Sequence, residues 1–335
     1  MENDARTTLG GCLALTMLLT GCGGGTLPAL GSAGSLSPSV LSAQRILSAT
    51  TRTSTSTSYT CPTAQTSSGP LNCTDLPLGD LKTTKSPKAG YVDVCEAASG
   101  SPVVSSAPWI GGTTWNLLEK VVVEGSVAWA GTFAAVLSND GDTRTITSKG
   151  VPTSPYTTGT FPIATTDPAY AYDHNPNKVE DKSDKYALPG NPTIATTPTC
   201  LPMGTIGLTV TGVAIYNAFD ASDYDAVARE EQDSCHGHPD SSDTYHYHGI
   251  LQACVPDAGS TTANSSLLGY ALDGFGIYGP WYNGKILTTA DLDECHGITS
   301  QVLWNGKLVN MYHYVSTYQF PYTLGCFRGK PIAGA

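Results

Sequence analysis

The cysteines constrain this chain more than any other feature of its sequence. Ten occur in 335 residues, and eight of them, at positions 61, 73, 95, 200, 235, 254, 295 and 326, are spread over its larger part. In an oxidising compartment an even set reads as a disulfide framework, whereas in a reducing one the same residues would be free thiols or metal thiolates. The first segment of the chain decides between these. Leu9 to Leu19 is an apolar run that stops at Thr20-Gly21-Cys22. It has the length of a signal-peptide core and is too short to span a bilayer. Gly10, Gly11 and Gly21 argue against a buried helix in its place.

Leu19-Thr20-Gly21-Cys22 resembles the lipobox of bacterial lipoproteins, in which the cysteine is diacylated and becomes the first residue after cleavage. Residues 1–21 are therefore expected to be a lipoprotein signal peptide and Cys22 a lipid anchor. That makes a membrane the expected partner, through the N-terminal lipid, and the cell envelope the expected address, with the outer membrane favoured. Glu2 and Asp4 offset Arg6 where such leaders are positive. Residues 22–90 are dominated by Gly, Ser, Thr and Pro. Such a stretch buries too little apolar area to offset its chain entropy, so it is expected to be a disordered tether. Cys61 and Cys73 close a short loop within it and can pair as a clip.

The formal charge of -11 and the lack of a Lys/Arg cluster exclude nucleic acid as a partner on electrostatic grounds. Residues 91–330 read as one mainly β domain, sandwich-like and disulfide-stabilised, because β-branched and aromatic runs alternate with turn residues at short intervals. Val121 to Val123, Ser126 to Trp129, Thr143 to Thr147 and Gly207 to Tyr216 are the clearest strands. Asp140-Gly141, between two such runs, predicts a hairpin. One short helix is expected over Ala226 to Gln232, capped from Ser222 to Asp225. It would aim Glu230 or Asp233 at the histidines that follow, with Glu231 on a solvated face. The tryptophans, spread over the domain, read as core anchors.

Six of the seven histidines lie between 236 and 313. Asp233-Ser234-Cys235-His236-Gly237-His238-Pro239 is followed by Tyr245-His246-Tyr247-His248. Alternate residues of an extended strand share a face, so His246 and His248 point one way and the two tyrosines the other. Imidazoles on Cα atoms about 6.5 to 7 Å apart can grip a single ion. His236 and His238 repeat the spacing.

A weak internal repeat extends the set. Cys235-His236-Gly237, Tyr245-His246-Tyr247 and Cys254 recur in order as Cys295-His296-Gly297, Tyr312-His313-Tyr314 and Cys326. If the copies pack together, His236, His246, His296 and His313 share one cleft, with His248 beside them. Cys235 then pairs with Cys254 and Cys295 with Cys326, or the two pairs cross. Val315 stands where a second strand histidine would be, which weakens the second copy as a chelator. Between the copies, Asp273 either orients an imidazole or begins an Asp-Gly turn.

These blocks, with Tyr270 to Gly279, Leu292 to Cys295 and Phe320 to Cys326, resemble the signature segments of the YHYH protein family over about residues 203 to 330. The resemblance implies an exported protein, often with a lipoprotein signal, and no settled reaction.

Three functions are open at this stage. The first is metal binding or handling in the envelope, with His236, His238, His246, His248, His296 and His313 as candidate ligands and zinc or copper as the ion. The second is a metal-dependent hydrolase, with Glu230, Asp233 or Asp273 as general base, although no His-Glu-x-x-His or Gly-x-Ser-x-Gly motif is present. The third is a structural or adhesion module without metal.

Overall fold

Short β-prone runs cut by glycine and Asx turns can form only short strands, and the computed structural model, which describes residues 58–332, contains them. The expected signal peptide, Cys22 and the tether as far as residue 57 lie outside the described residues. Eleven strands of three residues or more organise the described chain. They are β1 (Phe133–Leu137), β2 (Thr143–Ser148), β3 (Asp184–Pro189), β4 (Thr205–Thr209), β5 (Ala214–Tyr216), β6 (Gly237–Pro239), β7 (Tyr245–Tyr247), β8 (Leu267–Ala271), β9 (Gly276–Tyr278), β10 (Gly297–Trp304) and β11 (Lys307–Val315). One four-residue helix, α1 (Ala226–Arg229), precedes β6.

Eight strands form one mixed sheet in the order β6-β7-β5-β4-β8-β9-β11-β10. Its two halves have the same connectivity. In each, an antiparallel hairpin (β4–β5 or β8–β9) is followed by a second hairpin (β6–β7 or β10–β11) whose last strand pairs in parallel with the first hairpin. The halves join through antiparallel β4 and β8. The internal repeat is thus a structural repeat about a local twofold. A smaller antiparallel sheet, β3-β2-β1, is built on the expected Asp140-Gly141 hairpin, with Gly141 at φ +82°.

The small sheet shares its core with the large one. Arg144 of β2 spreads its guanidinium over Tyr270 and Trp304, at 4.7 and 4.8 Å from the ring centroids. Ile146 and Leu188 are buried in the same cluster as Leu208, Ile215 and Ile277. The result is mainly β and sandwich-like. Trp109, Trp115 and Trp304 are buried in that core. No helix among the described residues is long and apolar enough to cross a membrane.

Four disulfides staple the structure: Cys61–Cys73, Cys95–Cys200, Cys235–Cys254 and Cys295–Cys326. The uncrossed pairing within each repeat is the one formed, because each copy folds as its own half of the sheet.

Several expectations need correction. Gly207 to Tyr216 is a hairpin rather than one strand; Gly212 supplies the turn at φ +89°, and a Cβ there would meet the Thr132 carbonyl at 2.9 Å. Val121 to Val123 contributes only a bridge from Val123 to Asp233. The helix is capped by Asp225, whose side chain accepts from the Ala228 N–H, and ends at Glu230 in extended backbone.

Residues 58–90 are not a tether. Tyr59, Cys73, Leu76 and Leu78 are buried in the main core, the Gly79 N–H donates to Asp225 at 2.8 Å, and Asp80 takes a bidentate ion pair from Arg229, Nε to Oδ1 and Nη2 to Oδ2. A few apolar anchors, one clip and one buried ion pair outweigh a Ser/Thr-rich average.

Candidate metal centre

The site is assembled by the β6–β7 hairpin and the segment that leads into it. Asp240 shapes the turn, its carboxylate accepting from the N–H groups of Ser242 and Thr244 at 2.8 and 3.0 Å. The antiparallel register sets His238 directly across from His246. His248 follows two residues later on the same face. Glu230 arrives from the other side because α1 stops there, which frees its side chain to turn inward.

His238, His246 and His248 are 3–4 % exposed, and one ring nitrogen of each lies within 4.8 Å of the others. The Nε2 atoms of His246 and His248 are 3.0 Å apart. Glu230 Oε2 lies 3.3 Å from Nε2 of both His238 and His248. The far sides of two rings are tied to backbone carbonyls, His246 Nδ1 to Thr244 O at 3.0 Å and His248 Nδ1 to Asn217 O at 2.6 Å. A carbonyl only accepts, so each Nδ1 carries the proton and each Nε2 presents a lone pair inward. This outer bonding is what ligating histidines ordinarily have. Tyr216 completes the wall. Its ring stacks on His246 at 3.8 Å between centroids, and its hydroxyl donates to Asp240 at 2.8 Å.

The electrostatics follow from burial. Desolvation pushes the imidazoles of His238 and His248 well below their ordinary range and that of His246 to about 4. Desolvation first, then Asp220 and Asp173, raises the Glu230 carboxyl well above its ordinary value, against the pull of Lys120. His238 Nε2 and Glu230 Oε2 have no hydrogen-bond partner. The Nε2 lone pairs of His246 and His248, the unpaired Nε2 of His238 and an unpaired Glu230 carboxyl oxygen therefore face one another inside the protein.

The remaining candidates sit elsewhere. His236, at φ +60°, stacks on Tyr59 with centroids 4.1 Å apart. His296 Nε2 pairs with Thr317 Oγ1 at 3.0 Å. His313 Nδ1 pairs with Met311 O at 3.2 Å, and its ring meets the edge of Tyr278. The common cleft expected for His236, His246, His296 and His313 does not form. Four strands separate β7 from β11, a span of about 24 Å at the usual strand spacing.

Asp233 and Asp273 hold backbone rather than rings. Asp233 accepts from the N–H groups of Cys235, Gly237 and Gly159 and from the Tyr245 hydroxyl. Asp273 opens the Asp-Gly turn of the β8–β9 hairpin, accepting from the Phe275 and Gly329 N–H groups and the Tyr314 hydroxyl. Of the three carboxylates considered as general base, Glu230 alone stands against the histidines. Glu231 is fully buried rather than solvated. Sequence reasoning missed Tyr216, Tyr59 and Lys120, each far from the histidine run in the chain and unmarked by any motif.

Comparison with known proteins finds one family model that matches part of the chain. No curated protein and no solved structure matches the chain. Residues 185–288 match the family model described as YHYH protein, a span that holds Glu230, both strands of the β6–β7 hairpin and all three converging histidines. This region of the chain is accordingly that of a YHYH protein, and within it Tyr245-His246-Tyr247-His248 form the strand and the strand end at the centre of this site.

Proposed function

We propose that the protein is an exported, lipid-anchored metal-binding protein of the cell envelope. Nε2 of His238, His246 and His248 and a carboxylate oxygen of Glu230 hold one zinc or copper ion. The observation that carries the reading is the 3.0 Å approach of two Nε2 atoms whose Nδ1 atoms are both committed to carbonyls. Two buried lone pairs at that distance repel each other, and a cation between them turns the repulsion into ligation. Imidazole with carboxylate suits zinc or Cu(II), while Cu(I) would favour thiolate or thioether ligands.

Metal binding is favoured over hydrolysis because the protein itself offers four donors and encloses them. Glu230 is consumed as a ligand, and Asp233 and Asp273 are engaged elsewhere, so none of the three carboxylates considered as general base is left to activate a water. Four disulfides support export to an oxidising compartment. The Leu19-Thr20-Gly21-Cys22 segment supports the anchor.

The test is metal uptake by the purified, disulfide-intact protein after chelator treatment, measured against buffered zinc and Cu(II). One equivalent bound, with loss in His248→Ala, is the expected result. A protein that takes up neither ion leaves only the structural reading.

A further inference from the structure

The segment that follows α1 carries the metal-site carboxylate, yet it belongs to no strand until β6 begins. Its backbone carbonyls therefore need partners from elsewhere. Tyr59 donates its hydroxyl to the carbonyls of Gln232 and Asp233, both at 3.1 Å, and the Val123 N–H also reaches Gln232 O at 3.0 Å. The carbonyl of Glu230 itself receives the ammonium of Lys120 at 2.6 Å.

Lys120 is 2 % exposed. An ammonium is among the costlier groups to bury, and a carbonyl oxygen could be satisfied by water or any neutral donor at far less cost. Burial pushes its pKa below the ordinary lysine value, and nearby acidic groups offset part of that cost. The Tyr59 ring lies 5.8 Å away, and the carboxyl groups of Glu231, Glu230, Asp225 and Asp173 are the ones that act against desolvation. A buried cation on one metal-site residue, where a neutral donor would serve the fold, points to a demand for fixed geometry. The Glu230 N–H is already held by Ala226 O at 3.0 Å. With Lys120 on its carbonyl, the backbone of the residue is held on both sides.

We infer that Lys120 is a positioning residue of the metal site, fixing the Glu230 backbone so that its carboxylate stands against His238 and His248. The inference rests on the metal-binding reading and adds to it a group that touches no ligand atom.

The experiment is a double-mutant cycle on the disulfide-intact protein with Lys120→Met, Glu230→Gln and the pair. It is read by Co(II) affinity in chelator competition and by the visible spectrum of bound Co(II), which reports the donor set. Lys120→Met is expected to weaken Co(II) roughly 10- to 100-fold, as loss of an orienting partner does, and to move the spectrum to that of Glu230→Gln. The double variant should bind within about threefold of Glu230→Gln alone, because the two residues act as one unit. Multiplying effects, or a wild-type spectrum in Lys120→Met, overturn the inference while the metal site stands. A wild-type protein that binds no metal overturns both. If Lys120→Met does not fold, Lys120→Gln, too short to span the contact, takes its place with the same outcomes required.

Discussion

Leu208 of β4 stands directly across from Tyr270 of β8, and each is the counterpart of the other under the local twofold that relates the two halves of the large sheet. The flanking pairs exchange under the same axis, Gly207 opposite Ala271 becoming Gly269 opposite Thr209. Both hairpins shift register at the matching place, between Thr205 and Gly207 and between Leu267 and Gly269. The correspondence reaches the loops before the second hairpins. Asp293 accepts from the Cys295 and Gly297 N–H groups and the Tyr312 hydroxyl, as Asp233 does from Cys235, Gly237 and Tyr245. One loop design thus serves both halves, and only one half carries the histidine trio.

The shared loop gives an unequal pair of stability predictions. Asp233 is fully buried and also accepts from the Gly159 N–H at 2.7 Å, whereas Asp293 is partly exposed and lacks that bond. Asp233→Ala strands several buried donors and should cost roughly 3–5 kcal/mol, against about 1–2 kcal/mol for Asp293→Ala. Urea unfolding of the oxidised protein measures both. Equal losses would mean that the Gly159 contact and the deeper burial count for nothing.

The histidines divide sharply in what they should do to metal affinity. Alanine at His238, His246 or His248 removes a donor and should weaken zinc by about 100-fold or more. Tyr216→Leu, which removes the stacking partner and the hydroxyl that bonds Asp240, should cost about 10-fold. Alanine at His236, His296 or His313 should leave affinity within about threefold. Competition titration with a chromophoric chelator reads the whole set, and a large loss at His296 or His313 would contradict the separation of the two halves.

This division was only half legible in the sequence. Strand periodicity was enough to place His246 and His248 on one face, but not to foresee the hairpin that sets His238 across from His246. The repeat was visible too, with its two internal disulfides as one of two pairings left open. Its orientation was not, because sequence shows that two copies exist but not that β4 and β8 join them back to back, which puts the sites at opposite ends of the sheet. Residues 58–90 were misread for a related reason. Average composition describes a segment's own capacity to bury surface and is silent on anchors such as Tyr59 and Asp80, whose partners lie more than a hundred residues away.

Acid sensitivity of the metal-free protein should carry the signature of His296. Burial depresses its imidazole from 6.5 to about 3. Between those values the unfolded chain binds the proton and the folded one does not, so stability falls as pH drops from 6.5 towards 3, at up to about 1.4 kcal/mol per pH unit. Asp225, raised by burial to about 7, works in the opposite sense, losing stability as pH rises through that value. Subtracting His296→Gln from wild type isolates the first effect. The difference in urea midpoint with chelator present should shrink steadily below pH 6.5, and a difference independent of pH would rule it out.

The disulfides should rank by the loop each closes. Cys95–Cys200 spans 105 residues and Cys61–Cys73 only 12, and the four bridges do not enclose one another. By chain entropy, a loop of about 100 residues contributes about 4.7 kcal/mol and one of about 15 residues about 3 kcal/mol. Paired alanine variants compared by calorimetry should show the larger loss for Cys95 and Cys200. The reverse order would indicate that the N-terminal clip acts through native packing around Leu76 rather than through the unfolded chain.

The local twofold makes one constructive prediction. His313 sits where His246 does, with its Nδ1 on the Met311 carbonyl as His246 has its own on Thr244. Opposite it in the register is Ile298, the counterpart of His238, and two residues on is Val315, the counterpart of His248. The second half therefore keeps the backbone of the site and one correctly oriented ring, and lacks the other two imidazoles. Ile298→His with Val315→His should create a second site, raising zinc uptake from one equivalent to two. The new site should bind roughly 10- to 100-fold more weakly, since nothing there stands in for Glu230. Val315 is fully buried, so the variant should also be less stable without metal and recover with it, because an ion bound only by the folded state shifts the unfolding equilibrium. Calorimetry with and without zinc tests both parts together. A variant that folds but still binds a single equivalent would show that matched strand register does not by itself bring three imidazoles together, and would move the burden of building the natural site onto Glu230 and the segment that holds it.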